Sequence, residues 1–259
     1  MRIARAPSTQ EGPVIDRRRL VIGSFGTVLG ARAGAASPLP ETADIDQLGK
    51  FQLVLGRPGV VVGMPHGTPD VGTVDVGQAV RERLGAGAVV VTGFWDAKTR
   101  QRINVNRPTE QLIGPESQVL QQWQSARAAA ANAKYVAMVK EAAQGRLNVF
   151  YEIHSNHRPN LAGSIEVSTL GVSRAEAARL KSAFEAARHR LLPDVPPLVM
   201  HVSPLDKVPY PNYRDASSIS ELSAKGCAIE TPGHVVGNRS WRAAVAVCLA
   251  DAISDAAWA

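Results

Sequence analysis

Three apolar runs end on side chains that do chemistry. "VVVGMP" (60–65) leads to His66, "NVFYEI" (148–153) to His154, and "GCAI" (226–229) to Glu230. A fourth stretch, "RQRINVNRP" (100–108), offers Arg100, Arg102, Asn104, Asn106 and Arg107. Two imidazoles and a carboxylate suffice to hold zinc with a fourth position left for water. The pKa of such a water falls to about 7, where a neighbouring carboxylate can take its proton. A guanidinium adds a planar fork that grips a substrate carboxylate through two parallel hydrogen bonds, which lysine cannot copy. Metal-assisted hydrolysis of a substrate with a carboxylate is what such a set is equipped for.

These residues meet only if the runs are strands of one sheet. In open α/β sheets ligands bind outside the carboxyl ends of the strands. The chain alternates accordingly. Short apolar runs at 51–56, 59–65, 88–94, 147–155, 163–170, 197–204 and 226–232 read as strands. Between them, 75–85 reads as a helix with Asp75 as its N-cap and Gly85 as its stop, and an Ala-rich helix spans 117–144. Ser173 and Glu176 form a capping box that opens another helix, with Ala177, Leu180, Phe184, Ala187 and Leu191 on its core face. A last helix places Trp241, Val245, Cys248, Leu249, Ala252 and Ile253 on one side. Residues 95–116 read as irregular. The pattern predicts a single α/β domain, a three-layer sandwich around a mixed, mostly parallel sheet.

Composition sets bounds. A chain of 259 residues with 45% hydrophobic content can bury a substantial core. The formal charge is +6, but six arginines against Glu11 and Asp16 put +4 of it in the first 36 residues. The remainder carries only +2 and no basic stripe with interleaved aromatics, which argues against a nucleic-acid partner. Arg17, Arg18 and Arg19 precede the apolar stretch 20–30 and then small residues up to Ala36. This resembles a twin-arginine export signal over residues 1–36, removed on export, which implies a periplasmic or secreted protein of residues 37–259. No apolar run of that part is long enough to span a membrane. Cys227 and Cys248 make no disulfide framework and no cysteine zinc site; one bridge or two buried thiols both fit.

The order of "PHG", "NVNRP", "EIHS" and "IETPG" resembles the zinc carboxypeptidase superfamily. The N-formylglutamate amidohydrolase branch is nearest, through "PHG" and the Asn-Arg-Pro segment, and poly-γ-glutamate hydrolases are a second relative. The resemblance covers short islands between residues 60 and 235. It implies a phosphorylase/hydrolase-like fold of the zinc carboxypeptidase type. It implies His66 and His154 as zinc ligands and Glu230 as the catalytic base. Asn106 and Arg107 would bind the substrate carboxylate, and Arg102 or Arg100 would polarise the scissile carbonyl. The family's second ligand, a Glu three residues after the first His, is replaced here by Pro69; Asp70 is the nearest substitute and Asp75 its rival. Tyr210 and Tyr213, in "VPYPNYRD", resemble the mobile tyrosine of carboxypeptidases. His157 and His234 fall near the rim, His201 reads as a core histidine and His189 as a solvated one.

The function expected is an exported zinc-dependent hydrolase of an amide or peptide bond in a carboxylate-bearing small molecule or peptide. A non-catalytic carboxylate-binding protein on the same fold is the alternative, motivated by Pro69.

Overall fold

The computed structural model describes residues 44–115, 118–192, 195, 197–208, 222–256 and 258. The arginine-rich first 36 residues, Tyr210 and Tyr213 lie outside them.

The chain runs α1 (Ile45–Leu48), β1 (Gly49–Val54), β2 (Arg57–Met64), α2 (Thr73–Leu84), β3 (Ala86–Gly93), β4 (Trp95–Asp96), β5 (Gln101–Asn104), β6 (Thr109–Ile113), β7 (Val119–Gln124) and α3 (Ala126–Ala143). It continues through β8 (Val149–Asn156), β9 (Ser164–Leu170), α4 (Arg174–Leu191), β10 (Val199–Val202), β11 (Lys225–Pro232), α5 (Gly233–Gly237) and α6 (Arg239–Ala256). Seven strands form one sheet in the order β1-β3-β2-β8-β11-β9-β10. The pairs β2/β3, β2/β8, β8/β11 and β9/β10 are parallel; β1/β3 and β9/β11 are antiparallel. The sheet is therefore mixed and mostly parallel, as expected.

Helices cover both faces, so the central strands are apolar throughout rather than alternating. Val60, Val62, Met64, Tyr151, Ile153, Ile229 and Cys227 pack toward α2, α4 and α6 in one core cluster. Val61, Val89, Val91 and Phe150 face α3 in a second. Side chains alternate along a strand. On β8, Phe150 marks the α3 side, so Glu152 and His154 lie on that side too. There Glu152 meets the hydroxyl of Tyr135 from α3, and His154 follows it toward the carboxyl end of the strand.

The helix reading needs two corrections. Asp75 is not an N-cap. Gly72, with φ +86°, holds that position, and exposed Asp75 pairs with Arg242 of α6 at 2.8 Å. The helix expected at 117–144 begins only at Ala126, capped by Ser125, whose hydroxyl accepts from the Ala128 amide. Residues Val119–Gln124 are instead β7, and 95–116, read as irregular, supplies β4, β5 and β6. Together these make a separate four-stranded antiparallel sheet. The small sheet is fastened to α3 by a buried bidentate pair, Arg127 Nε to Glu110 Oε1 at 2.7 Å and Nη2 to Oε2 at 2.5 Å. Losing one partner of a pair like this costs about 3–5 kcal/mol, because the other charge is left buried.

The capping box of α4 is present, with Ala177, Leu180, Phe184 and Ala187 buried; Leu191 packs at the margin. Cys227 and Cys248 are two buried free thiols, not a bridge.

Candidate metal and hydrolytic site

The turn after β2 builds the first half of the site. Asp70 N donates to the His66 carbonyl at 2.9 Å, closing one helical turn that sets the two side chains four residues apart on the same side. Pro69 lies within this turn, and Asp70 rather than Pro69 faces His66. Gly67 N is bonded to Val91 O, and a Cβ at Gly67 would sit 2.6 Å from the Val74 side chain, so the turn is seated against β3.

His66 Nδ1 lies 3.5 Å and His154 Nδ1 3.6 Å from the same oxygen, Asp70 Oδ2. One ligand atom from each of the three residues falls within 4.8 Å of the others. Donors that share a tetrahedral zinc at 2.0–2.2 Å lie about 3.4 Å apart, so the spacing fits a common cation. The opposite ring nitrogens are committed elsewhere. His66 Nε2 donates to Asn104 Oδ1 at 2.8 Å, and His154 Nε2 donates to Glu152 Oε2 at 3.1 Å. Those bonds occupy Nε2 and leave Nδ1 as the ring nitrogen of each histidine that faces Asp70, the one a metal would take. Asp75 is remote from this cluster, so of the two candidate carboxylates the structure brings Asp70 to the histidines.

The segment "NVNRPT" is a β-hairpin, not a loop before a helix. Asn104 pairs with Thr109 across it, and Arg107 N bonds Asn104 O at 3.0 Å. Val105 is buried against α3, and its carbonyl accepts from Asn132 Nδ2. Asn106 Nδ2 donates to Glu152 Oε2 at 3.0 Å, which leaves Arg107 at the tip. On β5, Arg102 lies opposite Gln111 of β6, and Gln111 Oε1 accepts from its Nε and Nη2 at 3.2 and 2.6 Å. The guanidinium so held brings Nη1 to 3.8 Å from Asp70 Oδ1. Arg100 is used differently. Its φ is +57°, and its guanidinium binds the carbonyls of Ile113 and Gly114.

Glu230 on β11 stands in register with His154 of β8 on one side and Glu166 of β9 on the other. Next to it, Thr231 Oγ1 donates to the His154 carbonyl at 2.9 Å, tying β11 to β8. His66, Asp70, His154, Glu230, Arg102, Asn106 and Arg107 all line one cavity of about 480 Å³, a volume suited to a small ligand. His157 lines it as well; His201 is half-buried, and His189 and His234 are exposed.

Sequence reasoning missed Glu152, Glu166 and Gln111, and assigned Asn104 no role. The signal for Glu152 was present: it is two residues before His154 in a strand, hence on the same face. Glu166 had no such signal, because its place beside Glu230 depends on a non-local strand pairing.

The electrostatics suit a cation. Burial is the largest influence on Asp70 and opposes its charge, yet His154, His66 and Arg102 outweigh it and hold the carboxyl well below the usual range. Burial likewise opposes charge on His154, but Asp70 and Glu152 raise its pKa to about 10. Burial and Arg102 keep His66 neutral. In the metal-free protein at neutral pH, His154 therefore carries a proton that a cation must displace. Zinc binding at neutral pH should therefore release the His154 proton, and apparent affinity should rise with pH. Calorimetry of zinc binding at pH 7 in two buffers of different ionisation enthalpy reads that release directly; a value near zero would contradict the assignment.

No protein-family model matches the chain, and no curated protein does. Among solved structures it is similar to a bacteriophage poly-γ-glutamate hydrolase, at 13% identity over 80% of this chain and 89% of that one, with a TM-score of 0.46. It is also similar to a metallo-carboxypeptidase from Burkholderia cenocepacia, at 13% identity over 81% of this chain and 65% of that one, TM-score 0.42. A third is an N-acetylmuramoyl-L-alanine amidase of Nostoc punctiforme, at 12% identity over 77% of this chain and 97% of that one, TM-score 0.36. Superpositions this partial carry no functional weight, and the chemistry is read from this chain's own side chains.

Proposed function

We propose that the protein is a zinc-dependent hydrolase of an amide or peptide bond in a substrate that carries a free carboxylate, such as an N-acyl amino acid or short peptide. The observation that carries this reading is the convergence of His66 Nδ1 and His154 Nδ1 on Asp70 Oδ2 in a cavity shared with Glu230 and Arg102. His66, Asp70 and His154 would hold the ion, which supplies a Lewis acid for the carbonyl and acidifies a water. Glu230 takes the proton of the attacking water and returns it to the leaving amine. Arg102, held by Gln111, directs positive charge toward the oxygen where negative charge develops. Arg107 grips the substrate carboxylate, with Asn106 beneath it setting the turn.

The experiment compares turnover of N-acylated amino acids with that of their amidated counterparts by zinc-loaded protein. The acids should be strongly preferred, and Arg107→Lys should raise KM for them more than it lowers kcat. Equal treatment of acid and amide by the wild type would remove the carboxylate clamp. The alternative of a non-catalytic binding protein was motivated by Pro69, and the i,i+4 turn that returns Asp70 to the site removes most of that motive. Within the superfamily, "PHG" and the Asn-Arg-Pro segment favour the N-formylglutamate amidohydrolase branch.

Export belongs to the same proposal and rests on the Arg17–Arg19 cluster ahead of an apolar stretch. The mature amino terminus, read by sequencing protein recovered outside the cytoplasm, should fall near Ala36; an uncut chain retained in the cytoplasm would overturn it. No helix among the described residues is long and apolar enough to cross a membrane.

A further inference from the structure

Glu152 is a buried carboxylate, 4% exposed, that the proposed chemistry does not use. Both of its oxygens nonetheless have partners. Oε2 accepts from both His154 Nε2 at 3.1 Å and Asn106 Nδ2 at 3.0 Å, and Oε1 accepts from the hydroxyl of buried Tyr135 at 3.4 Å. The other histidine is supported differently, by the neutral amide of Asn104. One oxygen atom of Glu152 therefore sits between a candidate metal ligand on β8 and the base of the hairpin turn that carries Arg107.

We infer that Glu152 is a positioning residue that couples the metal site to the substrate clamp, an assignment that rests on the function proposed above. Rotation of the His154 ring toward a cation and placement of Asn106 are set through the same acceptor. A change on either side moves the other, because a buried acceptor can shift neither partner without leaving a polar group unsatisfied. Coupling of this kind is reciprocal: whatever binds at Arg107 alters zinc affinity by the factor by which zinc alters its own. Asn106, which donates to no candidate ligand directly, thereby acquires an influence on the metal.

The test uses zinc alone and needs no substrate. Zinc Kd is measured by chelator competition on the wild type, Glu152→Gln, Asn106→Ala and the double variant. Glu152→Gln should weaken zinc by about 10–100-fold, the usual cost of losing an outer-sphere partner. Asn106→Ala should change zinc Kd at least severalfold in the wild-type background and by a clearly smaller factor in the Glu152→Gln background, where a neutral amide oxygen replaces the shared carboxylate acceptor. Tyr135→Phe is the control for a purely structural role: it should lower thermal stability and leave zinc Kd near wild type. A wild type that binds no zinc sinks the metal reading and the coupling with it. A wild type that binds zinc while Asn106→Ala has no effect, or has the same effect in both backgrounds, sinks the coupling alone. Should Glu152→Gln fail to fold, the Asn106→Ala measurement in the wild-type background still decides, since an unchanged Kd there overturns the inference.

Discussion

Glu230→Gln should lower kcat by about 10²–10⁴-fold, the usual worth of general acid–base catalysis, while zinc content and substrate affinity stay close to wild type. The substitution keeps the shape and much of the hydrogen bonding of the side chain but removes its ability to accept a proton. The surroundings make the contrast clean. Glu230 lies in β11 between His154 of β8 and Glu166 of β9, so its backbone is fixed on both sides. Thr231, not Glu230, supplies the side-chain bond to the His154 carbonyl. Loss of the carboxylate should therefore leave the metal ligand in place. Steady-state kinetics with metal analysis of the same sample separates the outcomes. Wild-type turnover in Glu230→Gln would show the mechanism to be wrong; lost zinc would show Glu230 to act on the metal site instead.

The second large effect concerns the ion itself. Purified protein should hold about one zinc per chain, as a site with three protein ligands does. His66→Ala and His154→Ala should each release it, and chelation of the wild type should abolish turnover until zinc is restored. Stability must follow occupancy. A ligand bound only by the folded state adds about 4 kcal/mol when present at a thousand times its Kd, so chelation should lower the unfolding midpoint in wild type and leave the histidine variants unmoved. Full metal retention in both variants would remove the site from this location.

The parts of this molecule that could be read from its residues share a cause. The central strands are buried on both faces, so "VVVGMP" and "VFYEI" are continuous apolar runs, and a histidine or glutamate at their ends stands out. The capping box of Ser173 and Glu176 is local chemistry and was legible for that reason. The small sheet was not. β7 is mostly exposed, its sequence "VLQQWQ" has no alternation, and its pairing with β6 is held by contacts such as Gln111 Nε2 to Gln122 Oε1 at 2.8 Å. Nothing within either segment announces the other, and the alanines that follow drew the helix forward by nine residues. The same limit applied to the site. His66, Asp70 and Arg107 could be nominated one at a time, but the support of His66 by Asn104 and of His154 by Glu152 depends on where a hairpin docks. That docking is a property of Val105 against α3 and of the Arg127–Glu110 pair, residues with no functional signature.

Trp95 lines the same cavity as the candidate ligands, and it is the only one of the four tryptophans that does. Trp258 is buried and stacked on Tyr151 at 6.2 Å between ring centroids, on the opposite side of the sheet from His154. Indole emission responds to the polarity and water content around the ring. Occupancy of the cavity should therefore be visible as a change in the light from one residue over a steady background from three. The protein carries its own optical reporter, placed by β4 beside Arg102.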